Sequence, residues 1–116
     1  MQSITTQVHQ SGEVWVLALQ GKLVLGQSSN DFRNSVADLL KAGNQRIVLN
    51  FRDVSYADSA GIGALAVNFS SVKAAGGALA MAEAQPSVRD VMDLTRLSQL
   101  IPIYESEQEA IRSLAN

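Results

Sequence analysis

The sequence predicts an α/β fold, a mixed β-sheet of about four to five strands that opens on a hairpin, runs parallel afterwards and is covered by about four helices. Three observations predict it. Short branched-aliphatic runs alternate with amphipathic stretches of helical period along most of the chain. The first two runs, in contrast, adjoin each other across Ser11-Gly12, a turn signal that makes them a hairpin. Finally, 116 residues with 47 % hydrophobic and 17 % charged content suffice for one core and fall short of two ordinary ones. Residues 1–116 are therefore expected to form a single domain.

The elements follow in order. Ile4 to Val8 and Val14 to Leu19 are the hairpin strands. Ser28 or Ser29 can cap a helix in which Phe32, Val36, Leu39 and Leu40 share one face, and Gly43 stands where a left-handed residue ends it. Ile47 to Phe51 reads as a buried strand, followed by a polar loop from Arg52 to Ala60. A second helix starts at Ser59 and runs to about Ala75, with Ile62, Leu65, Ala66, Phe69 and Val72 on one face; Gly76-Gly77 stops it. Ala78 to Ala82 is another buried strand, and Pro86-Ser87 opens a third helix carrying Val88, Val91, Met92 and Thr95. Ile101 to Tyr104 is a short fifth strand whose Pro102 places it at an edge or a strand end. Ser106-Glu107-Gln108-Glu109 has capping-box form ahead of a last helix with Ala110, Ile111 and Leu114.

Composition narrows the function classes. A net charge of -2 provides no basic footprint for neutralising phosphates, so no direct nucleic-acid partner is expected. The absence of cysteine removes thiolate metal sites, disulfides and thiol catalysis together. The N-terminus, Met-Gln-Ser-Ile-Thr-Thr, lacks a basic region followed by an apolar one. The longest weakly polar stretch, Ala60 to Phe69, is broken by Asn68, so no membrane insertion is expected and a cytoplasmic location is the default.

The informative stretch is Tyr56-Ala-Asp58-Ser59-Ala60-Gly61-Ile-Gly63, where a helix begins after a strand. Asp58-Ser59 alone reads as an N-cap. Two glycines in the first turn, each costing ~1 kcal/mol against Ala, exceed what a cap needs. They let another backbone, a phosphate or a partner surface approach the helix start. Three chemistries compete there. Gly61-Ile-Gly63-Ala-Leu-Ala66 fits a dinucleotide fingerprint, with Glu83 about 20 residues on as the ribose acid. Against it stand the intervening run Arg52 to Ala60 and the lack of a second half-site. A serine nucleophile at Ser59 would need His9, the one imidazole, and Ala57 stands where the nucleophile elbow requires glycine. In the third, Ser59 receives a phosphoryl group, whose -1.5 to -2 charges would meet free helix amides and the opposing carboxylate of Asp58.

From Val54 to Gly63 the chain resembles the Asp-Ser-Ser-Gly-Leu-Gly phosphorylation motif of the STAS domains, specifically the single-domain bacterial anti-sigma factor antagonists. Leu94-Thr95-Arg96-Leu97, then Ile101-Pro102-Ile103-Tyr104 and Glu109-Ala110, are similar to the family's C-terminal half, and Gly21 fits its glycine after the second strand. The resemblance implies that Ser59 is phosphorylated by an anti-sigma factor that is also a serine kinase, and is restored by a PP2C-type phosphatase. The unphosphorylated form would bind the anti-sigma factor and so release sigma factor, without cofactor or catalytic activity of its own. Asp58, Ser59, Ala60, Gly61, Gly63, Tyr56 and Leu25 are the expected partner-binding residues. Four positions depart from the pattern: Ala60 replaces a second serine, Asn50 an aspartate and Arg96 a frequent glycine, and Lys22-Leu-Val-Leu-Gly26 lacks an acidic residue. Within the same fold, the resemblance also admits a docking subunit of another system, such as a lipid ABC transporter.

Overall fold

The computed structural model describes residues 4–115. The start of the chain, where a leader was sought, and Asn116 lie outside that range. Ten elements follow one another: β1 (Ile4–Ser11), β2 (Val14–Leu23), α1 (Gln27–Lys41), β3 (Arg46–Ala57), α2 (Ser59–Ala74), β4 (Ala78–Ala82), α3 (Pro86–Leu94), a 3₁₀ turn (Leu97–Gln99), β5 (Ile103–Tyr104) and α4 (Glu107–Leu114). The sheet has the spatial order β1-β2-β3-β4-β5. Its first pair is antiparallel and the other three are parallel, as the opening hairpin and later alternation predict.

Each face of the sheet has its own cover. Phe32 and Val36 of α1, Ile62 and Leu65 of α2, and Val88 and Met92 of α3 pack on Leu17, Leu49, Phe51 and Met81. Phe32 meets Phe51 edge to face with ring centroids 6.1 Å apart, the arrangement aromatic quadrupoles favour. On the other face α4 brings Ala110, Ile111 and Leu114 against Val14, Val16, Val48, Ala80 and Ala82. Half of the expected capping box of α4 is formed: Ser106 Oγ accepts from Glu109 N at 3.1 Å, and the Glu109 carboxylate accepts from the Ser106 hydroxyl at 3.1 Å in place of the Ser106 amide. Asn68 is the polar exception in the first layer. It is 3 % exposed and its Nδ2 makes no hydrogen bond, an arrangement that costs about 1–3 kcal/mol.

Several sequence expectations need correction. Neither Ser28 nor Ser29 caps α1. Gly26 occupies the N-cap at φ 102°, and both serine hydroxyls donate back to the Val24 carbonyl from within the first turn. β2 runs past Leu19, where it was expected to end, through Gly21 to Leu23. Likewise β3 continues to Ala57, where a polar loop was expected from Arg52. The pairing of β2 with β3 shifts register twice, between Ala18 and Gln20 and between Gly21 and Lys22. Those irregularities bury Phe51, Val54 and Ala57 with two exposed residues between each, a spacing unlike strand alternation. At the far edge, β5 contains only Ile103 and Tyr104; Ile101 is buried ahead of it, and Pro102 contributes its carbonyl to Met81 N at 2.8 Å.

Arg96 follows α3 in the left-handed region, at φ 64° and ψ 13°. That conformation penalises a Cβ and accounts for glycine being frequent there in the family pattern. Arg96→Gly is expected to stabilise the protein by about 1 kcal/mol, raising the melting temperature by about 4 °C. An unchanged or lowered Tm in calorimetry would show that the Arg96 side chain contributes more than its backbone costs.

Candidate functional site

The site lies at the C-terminal ends of β2 and β3, where α2 begins. Asp58 is the N-cap of α2, extended at φ -92° and ψ -175°. One carboxylate oxygen accepts from Gly61 N at 2.9 Å and the other from Leu25 N at 3.0 Å. A single side chain thus closes the first turn of α2 and ties it to the β2–α1 connection. The amides of Gly61 and Leu25 stabilise the ionised form and hold the carboxyl below its ordinary value of 3.8. Asp58 N donates in turn to the Leu23 carbonyl at 3.1 Å.

Because the folded-state pKa is depressed, this stabilisation is complete above the unfolded value and is lost as pH falls through the folded one. Asp58→Ala is expected to cost about 1–2 kcal/mol at pH 7, the range for losing an acidic N-cap. In urea titrations the gap to the native protein should narrow as pH drops below 3.8. A gap that stays constant down to pH 3 would exclude the carboxylate as its source.

Ser59 is the first residue of α2; it is exposed, and its hydroxyl makes no hydrogen bond among the described residues. The neighbouring expected residues divide. Leu25, 78 % exposed, and Tyr56, 50 % exposed, stand at the same end of the sheet, and Ala60 is partly covered. Gly63 is exposed, and a Cβ there would meet nothing within 4 Å. Gly61 is buried instead, and its Cβ would overlap the Leu23 carbonyl. Its missing side chain serves internal packing rather than an external partner. Ile62 belongs to the core. Leu23 is fully buried in β2.

The competing chemistries fare differently. The polar run held against nucleotide binding does not exist as a loop, since only Asp58 separates β3 from α2. The Asp58 carboxylate, however, already occupies the Gly61 amide that a phosphate would need. Glu83 is equally engaged, accepting from Asn50 Nδ2 at 3.3 Å and from Glu107 N at 3.2 Å. His9 Nε2 lies 3.1 Å from Glu107 Oε2 on the α4 side of the sheet, across it from Ser59. Sequence reasoning missed this polar cluster. Asn50 also donates to Glu107 Oε1 at 2.8 Å, which explains the departure from aspartate: a carboxylate there would face two others.

A five-stranded mixed sheet carrying an exposed serine at a capped helix start defines a small α/β domain. The chain belongs to the STAS domain family, whose pattern matches residues 5–110. An anti-sigma F factor antagonist of Paenibacillus polymyxa is 29 % identical over 70 residues, a match spanning 60 % of each protein. The crystal structure of a candidate anti-sigma factor antagonist from Thermotoga maritima superposes with a TM-score of 0.87 at 25 % identity, covering 94 % of this chain and 93 % of that one. The phosphorylated form of the Bacillus cell-fate determinant SpoIIAA shares the fold, with a TM-score of 0.73 at 23 % identity over 96 % of this chain and 100 % of that one.

Proposed function

We propose that this protein is an anti-sigma factor antagonist that works as a phosphorylation-controlled partner switch. The observation that carries the proposal is the exposed, unbonded Ser59 hydroxyl beside the Asp58 cap. Unphosphorylated, the surface around Ser59, with Leu25, Tyr56 and Gly63 at its rim, docks on an anti-sigma factor that is also a serine kinase. The partner supplies ATP and the chemistry, and Ser59 receives the phosphoryl group. A PP2C-type phosphatase resets the switch. The added -1.5 to -2 charges stand next to the Asp58 carboxylate, where like-charge repulsion and desolvation weaken docking.

Phosphopeptide mapping of the protein from its own cells tests the assignment. Phosphate on Ser59, absent from Ser59→Ala protein that still binds the partner, is the expected result. Phosphate persisting on another residue overturns the phosphoacceptor assignment. Absence of phosphate across growth conditions would favour a docking module in another system.

A further inference from the structure

We propose that the groove between α1 and α2 is a binding site for a small carboxylate with a hydrocarbon tail, independent of the Ser59 surface. The groove is an open depression of about 390 Å³, within the size range of small-molecule sites. Its walls are apolar, from Val36 and Leu40 on α1 and Val67 on α2. Val67 is 47 % exposed, so its apolar surface remains open to an occupant.

Two further features select the head group. Asn68 lines the groove and is 3 % exposed, and its Nδ2 is a buried donor without an acceptor. Such a donor is a standing cost that an apolar residue in the same helix position would avoid. An entering oxygen acceptor removes it once the amide turns toward the groove. The charged residues of the lining, Arg33 and Lys41, are both cationic, and neither makes an ion pair among the described residues. They stand eight residues apart on α1, ~12 Å along its axis, and flank the apolar walls. Cations at the rim favour an anion, and the Asn68 amide, closed off from the groove surface, becomes its donor on rotation. The apolar walls favour a hydrocarbon chain behind it. A partner helix laid along the groove meets this combination less well, because the backbone carbonyls of its interior are bonded within the helix.

Nine residues, ~13 Å along α2, separate Asn68 from Ser59, so occupancy of the groove leaves the Ser59 hydroxyl uncovered. The test is an NMR titration of the nitrogen-labelled full chain with decanoate kept below its micelle-forming concentration, alongside decylamine and decanol. Decanoate is expected to shift the Asn68 side-chain amide together with the backbone signals of Leu40 and Val67, leaving Ser59 unmoved. The double variant Arg33→Glu, Lys41→Glu should raise its Kd at least tenfold. Asn68→Leu should melt no lower than the native protein and bind decanoate at least fivefold more weakly. Asn68→Ala provides the same comparison if leucine perturbs the fold. Equal binding of decylamine, undiminished binding by both Asn68 variants, shifts centred on Leu25 and Ser59, or no shift at millimolar decanoate would each overturn the proposal. So would a response to an acidic amphipathic peptide with none to decanoate.

Discussion

Gly61→Ala is expected to lower stability by about 1–3 kcal/mol, the range for forcing atoms into a packed interior. The added methyl would overlap the Leu23 carbonyl, which already accepts from Asp58 N. Neither neighbour can yield cheaply, because Leu23 is held in β2 and Gly61 in the first turn of α2. Relief requires α2 to lift from the sheet, which also breaks the bond that Asp58 accepts from Leu25 N. Gly63→Ala is the matched comparison, since its Cβ would project into open space. There the helix gains propensity, and a stabilisation of about 0.5–1 kcal/mol is expected. Urea denaturation of the two variants should move their midpoints in opposite directions. Equal losses would mean that both glycines serve the partner surface or the backbone in the same way, and the packing account would fail.

The second large effect concerns binding. Under the switch proposed for this protein, Ser59→Asp should raise the Kd for the anti-sigma partner at least tenfold, ~1.4 kcal/mol. The aspartate carries less charge than a phosphate and stands closer to the backbone, so the phosphorylated protein should lose more. Melting temperature should change little, because Ser59 is exposed and N-terminal in α2, where a negative charge favours the helix dipole. A lost affinity with unaltered stability would isolate the electrostatic effect. Unchanged affinity in titration calorimetry would count decisively against a charge-driven switch.

Local chemistry in the sequence carried much of this architecture. The N-caps at Asp58 and Ser106 were readable because each connects residues three apart, and both are formed. The end of β3 was unreadable for a definite reason. Two register shifts replace alternation by burial at every third residue, so Arg52-Asp53 and Ser55-Tyr56 look like loop. The serines before Phe32 resembled caps because their hydroxyls do bond the backbone, but they return to Val24 from inside the helix. Within the site, sequence located Ser59 and Asp58 but could not separate Gly61 from Gly63. That distinction depends on Leu23, 38 positions earlier, whose carbonyl lies under one glycine and not the other. The bond from Asp58 to Leu25 likewise spans 33 positions and leaves no local trace.

The sheet order has a consequence for how the chain assembles. Strands adjacent in sequence are adjacent in space throughout, so each βα unit leaving the ribosome finds its pairing edge already made. The exception is the last helix. Val14, Val16 and Val48 are all synthesised before α4, which arrives as residues 107–114 to shield them. Without α4 the sheet keeps one apolar side bare. A chain cut short of residue 107 would therefore present Val14, Val16 and Val48 uncovered, a natural client for a chaperone.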